Sequence, residues 1–97
     1  MNYYLHPDAE EDLREAAEFY RKRAGNELAQ ALLAEFEQSV NILLKHPTLG
    51  SNWRNGRRRL VMRRFPYSLI YSVVDQQIRI LAVAHQSRRP DYWRDRQ

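Results

Sequence analysis

The side chains with the greatest chemical potential lie between Arg57 and Trp93. Arg57, Arg58, Arg59, Arg63 and Arg64 sit on or beside strand-forming residues, and His85, Arg88, Arg89, Tyr92 and Trp93 follow towards the C-terminal end. A guanidinium is a planar fork that keeps its charge at any physiological pH and matches a phosphate or a carboxylate. Alternate residues of a strand share a face, so Arg57, Arg59 and Arg63 are expected on one side and Arg58 and Arg64 on the other. Charges of this kind either blunt an edge strand against aggregation or bind an anion. Edge protection uses fewer charges, and often lysine, which favours binding here. His85 stands three residues before Arg88-Arg89. A neutral imidazole beside arginines suits general acid–base chemistry on RNA, with Tyr92 bonding a phosphate, but a histidine closing a strand is also a plain structural residue. Trp53, Tyr92 and Trp93 either stack on bases or a partner's side chains, or close a small core.

Other chemistries find little support. His6 and His46 each precede a proline and read as punctuation. Three scattered histidines with no matching acidic cluster, and no cysteine, predict no metal and no cofactor. Only three glycines are present, too few for a phosphate-cradling loop or a nucleophile elbow. No apolar run approaches the ~18 residues of a membrane span. The start, Met1-Asn-Tyr-Tyr-Leu-His-Pro-Asp8, has neither a basic nor an apolar leader region, so a cytoplasmic protein is expected.

Ninety-seven residues suit one domain, spanning 1–97, with one modest core. The net charge of +4 conceals an asymmetry. Residues 1–49 hold nine acids and five bases, and residues 50–97 three acids and eleven bases. The C-terminal half is thus expected to face a polyanion or an acidic protein.

The elements that must carry these side chains can be read in order. Asn2–His6 is short and aromatic-rich and predicts a strand stopped by Pro7. From Asp8, acids fill a first helical turn, and Ala9, Leu13, Ala16, Ala17, Tyr20 and Ala24 recur at helical spacing up to Gly25. Asn26 is expected to cap a second helix with the stripe Leu28, Leu32, Phe36, Val40 and Leu43, ended by Pro47 and Gly50. Thr48–Arg57 reads as a loop. Arg58–Phe65, Tyr67–Val74 and Ile78–His85 read as strands, with a tight turn at Asp75-Gln76-Gln77. The middle strand is apolar on both faces and is expected to lie centrally. Together these predict an α+β fold of two layers: an N-terminal strand and an antiparallel helix hairpin packed on an antiparallel β-meander.

Several motifs also resemble the RelE/ParE superfamily of type II toxin–antitoxin toxins, nearer its ParE-like, plasmid-stabilisation branch. The matching residues are Asp12-Leu13 and Tyr20, His46-Pro47-Thr48-Leu49-Gly50, Arg63-Arg64-Phe65-Pro66-Tyr67, Ile70-Tyr71, His85, Arg88-Arg89-Pro90 and Tyr92-Trp93. The resemblance runs in order over nearly the whole chain. It implies a growth inhibitor that forms a hetero-oligomer with a cognate antitoxin, an acidic protein with a DNA-binding N-terminus whose C-terminal segment wraps the toxin. Arg57, Arg59, Arg63, Arg64, Arg88, Arg89, Tyr92 and Trp93 would then contact the target or the antitoxin.

The superfamily divides by target. ParE-like members poison DNA gyrase by binding, without being enzymes. RelE-like members cleave mRNA on the ribosome, and here Arg59, His85, Arg88 and Tyr92 would form that site. Val61 and Ser68 stand where the RelE-like pattern would place further basic residues, and no acid lies between Glu37 and Asp75. Both deficits make activation of a 2′-hydroxyl harder and favour the gyrase branch. An inert member that only pairs with its antitoxin is the third reading.

Overall fold

The computed structural model describes residues 1–87 and 92–96. The chain opens with β1 (Asn2–Leu5) and enters α1 (Pro7–Ala24) through a capped turn. His6 Nδ1 accepts the N–H of Asp8 at 3.0 Å, and Pro7 occupies the first helical position, where a missing N–H costs nothing. His6 is therefore the helix cap, and the helix starts one residue earlier than the acids suggested. Asp8 and Glu10 sit at the positive end of the helix dipole, and Arg21, Lys22 and Arg23 at the negative end.

Gly25 alone joins α1 to α2 (Asn26–Lys45). Its φ of 95° suits only glycine, and its N–H returns to the Arg21 carbonyl at 3.0 Å. The expectation that Asn26 caps the second helix is corrected here. Asn26 is already helical, and the cap position is Gly25, which offers no side chain.

Five strands form one sheet in the order β1-β5-β4-β3-β2. Three of them, β3 (Arg58–Val61), β4 (Tyr67–Val74) and β5 (Gln77–His85), are the expected meander, with β4 in the centre. Asp75 and Gln76, at φ 50° and 61°, make the two-residue hairpin turn, and Gln77 already belongs to β5. At the far edge, β1 lies parallel to β5, from Asn2↔Gln77 to Leu5↔Ile80.

Two larger differences from the sequence reading lie at the other edge of the sheet. The stretch expected to be a loop contains β2 (Ser51–Asn52), which pairs with Arg58 and Arg59. Two residues carry no periodicity to detect. The strand expected to reach Phe65 stops at Val61: Met62 N–H still donates to Tyr67 O at 2.9 Å, but the N–H groups of Arg63 and Arg64 then go to Glu35 in the turn back to β4.

The core lies between helices and sheet. Leu13, Leu32, Phe36 and Leu43 meet Leu69, Tyr71, Ile78, Ile80 and Val83. A bulge in β5 makes that set possible. Ile70 pairs with Ala82 and Tyr71 with Ile80, so Leu81 is unmatched and the strand changes parity there. Val83 on one side of the bulge and Ile80 and Ile78 on the other thus all face the helices. Ile70 and Ala82 face the other way, where Trp93 covers them and Trp53 and Tyr92 pack alongside.

Tyr71 fastens the loop after α2 to the sheet. Its hydroxyl accepts the Gly50 N–H at 2.9 Å and donates to Pro47 O at 2.8 Å. A Cβ on Gly50 would stand 2.7 Å from that hydroxyl, so only glycine fits so close to it. Burial pushes the Tyr71 phenol above its ordinary pKa, although the Gly50 N–H and Arg58 act in the opposite sense. Tyr67 is raised in the same direction, again by burial first. The unfolded chain thus releases these protons before the folded one does. Stability is expected to hold up to a pH of about 10 and then to fall as pH rises. Tyr71→Phe should cost about 1–3 kcal/mol at neutral pH by orphaning two backbone groups, and should make the alkaline fall shallower. Urea unfolding at pH 7 to 11 checks both.

Candidate functional site

The arginines expected to form one cationic rim are shared among three locations. Arg57 and Arg59 do project to the same face, as strand alternation requires, and Arg59 lies opposite Ile70 on the face away from the helices. Arg59 stacks its guanidinium 4.5 Å from the centre of the Trp53 ring, and Arg54 approaches the same ring at 5.8 Å.

Arg57 is committed to structure. One guanidinium nitrogen donates to Asn55 O at 3.2 Å, and the other to Arg96 O at 3.1 Å and Arg94 O at 3.5 Å, with the Trp93 ring 5.8 Å away. Three N–H donors of this face, Trp53 Nε1, Arg57 Nε and Arg59 Nε, are buried without a partner among the described residues. These N–H groups are closed to solvent, so what the face offers an anionic partner is the charge of the Arg59 guanidinium over Trp53.

Arg58 points the other way, as expected, and is also occupied. It donates to Gly50 O at 2.8 Å and Thr48 O at 3.2 Å. Arg63 does not join Arg57 and Arg59, because the strand that would have set its parity ends at Val61. Arg63 and Arg64 are exposed on the following turn, where Glu35 of α2 accepts both backbone N–H groups, at 2.6 and 3.3 Å. Arg88 and Arg89 lie outside the described residues.

The aromatic residues and His85 also separate. Trp93, expected to contact a partner, is 1% exposed and is a core residue of the outer face, so its ring is not presented to anything. His85 pairs across the sheet with Tyr67, whose ring belongs to the helix-side core, and the two rings meet edge-on at 5.0 Å. His85 Nδ1 accepts the Ser87 N–H at 3.0 Å, which leaves the proton of the neutral ring on Nε2. Half-buried Tyr92 borders the same small cleft as His85, together with Asp12 and Glu15. The possible nuclease set is thus divided: Arg59 lies on the outer face and His85 on the helix side. Among the described residues no group of histidines and carboxylates could hold a metal, and no helix is long and apolar enough to cross a membrane.

Sequence reasoning missed a groove of about 220 Å³ between α2 and β3. It is lined by Glu35, Ile42, Leu49, Val61 and Arg63 among others, and Ile42, Leu49 and Val61 are 45%, 55% and 47% exposed. The available signal was Ile42, an isoleucine of the second helix lying outside the core stripe.

This arrangement of two helices over a five-stranded sheet has a solved counterpart. The structure described as the chromosomal ParDE TA system from P. aeruginosa superposes with a TM-score of 0.78 at 24% identity, over 88% of this chain and 95% of that one. That likeness concerns the fold. Membership follows from sequence: residues 3–90 match the family described as the ParE toxin of the type II toxin–antitoxin system parDE, and the chain belongs to that family. No curated protein matches the chain. A type II toxin has an antitoxin as its partner, and both the expected fold and the expected ParE-like branch hold.

The two outer-face arginines are expected to behave differently on truncation. Arg57→Ala should cost about 1–3 kcal/mol and shift tryptophan emission to the red, because the tail over Ile70 loses its anchor. Arg59→Ala should cost about 0.5–2 kcal/mol, the range of a cation–π contact at a half-buried site, and should leave the emission in place because the tail keeps its anchor. Denaturant unfolding followed by fluorescence distinguishes them.

Proposed function

We propose that this toxin arrests growth by binding DNA gyrase, and that it does so without cleaving RNA. The observation that carries the reading is the placement of Arg59 and His85 on opposite faces of the sheet. Cleavage at a 2′-hydroxyl needs a base and a cation on the same phosphate, within hydrogen-bond reach. A sheet between them keeps Arg59 and His85 from meeting on one phosphate. Membership of the ParE family supports the same choice. The target surface is the outer face around Trp53 and Arg59, where the Arg59 guanidinium favours an acidic patch of the target.

The antitoxin, on this reading, is an acidic, cytoplasmic, DNA-binding protein whose toxin-binding segment folds into the groove between α2 and β3. Half-exposed Ile42, Leu49 and Val61 offer it apolar area, and Arg63 offers charge at one end. Burying such side chains contributes about 25 cal/mol per Å² of apolar area.

Purified toxin is expected to inhibit gyrase supercoiling. Arg59→Ala should weaken that inhibition about tenfold or more, and His85→Ala should leave it within about twofold; a lost interaction with a charged group has that scale. Undisturbed gyrase, together with new codon-phased 5′ ends on cellular mRNA that vanish in His85→Ala, would establish the endoribonuclease reading instead.

A further inference from the structure

Glu35 is a buried carboxylate on α2 with half of its bonding capacity unused. Oε2 holds the turn after β3 through the N–H groups of Arg63 and Arg64. Oε1 is withdrawn from solvent and has no hydrogen-bond partner among the described residues. An acceptor removed from water without a donor is costly, and more so when it carries charge. The same side chain lines the apolar groove described above, beside Ile42 and Val61. Past Arg59 the outer edge of β3 is uncovered, because β2 pairs only with Arg58 and Arg59.

An apolar groove with a buried carboxylate oxygen selects a ligand with apolar side chains and a donor among them. We propose that the antitoxin segment filling this groove carries one lysine or arginine, set between apolar residues, whose charged head donates to Glu35 Oε1. The inference rests on the docking reading given above and specifies its chemistry. A neutral donor would satisfy the oxygen too, but a charge-assisted bond is roughly twice as strong and also offsets the charge. Gln38 and Arg63 border the groove and are exposed, so they can turn aside to admit the incoming head. Specificity follows as well as affinity. A segment without the basic residue would leave Glu35 as unpaired as it is in the free toxin, and would bind more weakly by the bond it forgoes. One cation at a fixed position inside an otherwise acidic segment would distinguish the cognate partner from other acidic proteins drawn to the arginines.

A random peptide library selected on the immobilised full chain tests this. The winners are measured against the wild type, Ile42→Asp and Glu35→Gln, each variant first shown to unfold cooperatively. We expect winners that fail on Ile42→Asp and share a lysine or arginine at one position. They should bind Glu35→Gln about ten- to a hundredfold more weakly. Changing the peptide's basic residue to Met should reproduce that loss, and it leaves the toxin untouched. Winners that need Ile42 but share no basic residue, or bind Glu35→Gln equally well, overturn the role of Glu35 and leave the docking reading standing. Winners indifferent to Ile42→Asp overturn the docking reading and the present inference with it.

Discussion

The Asp12 carboxylate ties helix α1, strand β5 and the C-terminal tail together at one point. The first strand covers β5 only as far as Ile80, where His6 N–H donates to Ile80 O at 2.9 Å. Beyond that point the strand edge would be bare. Asp12, one turn into α1, accepts the Val83 N–H at 3.1 Å, and Arg96 donates to Leu81 O at 3.0 Å. Asp12 and Arg96 then bond each other at 2.6 and 3.4 Å. A helix and a tail thus complete an edge that no strand completes, at the bulge that reverses the parity of β5. Burial works against the charge on Arg96, but the bonds and attraction to Asp12, with smaller help from Tyr92 and Asp8, hold its pKa above the ordinary value.

From that fixed point the outer face takes its form. Arg96 brings the tail back across the sheet, its guanidinium 5.1 Å from the Tyr92 ring, and Trp93 lands on Ile70 and Ala82. Arg57 then holds the backbone of the returning tail. The strongly basic second half is therefore less free than its charge suggests. Arg57, Arg58 and Arg96 spend their donors on carbonyls and a carboxylate inside the fold. Arg59 lies over Trp53 on the outer face, Arg63 borders the groove, and Arg64 is exposed beside Phe65. Two separate surfaces allow a target and an antitoxin to be recognised by different residues.

Much of the fold was legible because it rests on local signals. Helical spacing from Ala9 to Leu43, the proline and glycine stops, and the alternation of Tyr67–Val74 place two helices and a meander without reference to contacts. What could not be read depends on pairing at long range. The two residues of β2 are a strand only because Arg58 and Arg59 lie beside them. The early end of β3 depends on Glu35, nearly thirty positions away, reaching the N–H groups of Arg63 and Arg64. Arg57 and Arg59 share a face, yet one holds the tail and the other lies on Trp53, a division that composition and spacing do not encode. Trp93 looked equally suited to a partner or a core, and the bulge and the tail made it core. The groove escaped because its apolar lining comes from three separate segments.

The claim that Asp12 and Arg96 act as a unit is tested most directly by a double-mutant cycle in urea, with Asp12→Asn, Arg96→Met and the pair. We expect each single change to destabilise the fold and the pair to cost less than their sum, with a coupling of about 1–3 kcal/mol. Costs that add to within about 0.3 kcal/mol would contradict it, and would mean that Trp93 and Arg57 hold the tail over the sheet without help from that pair.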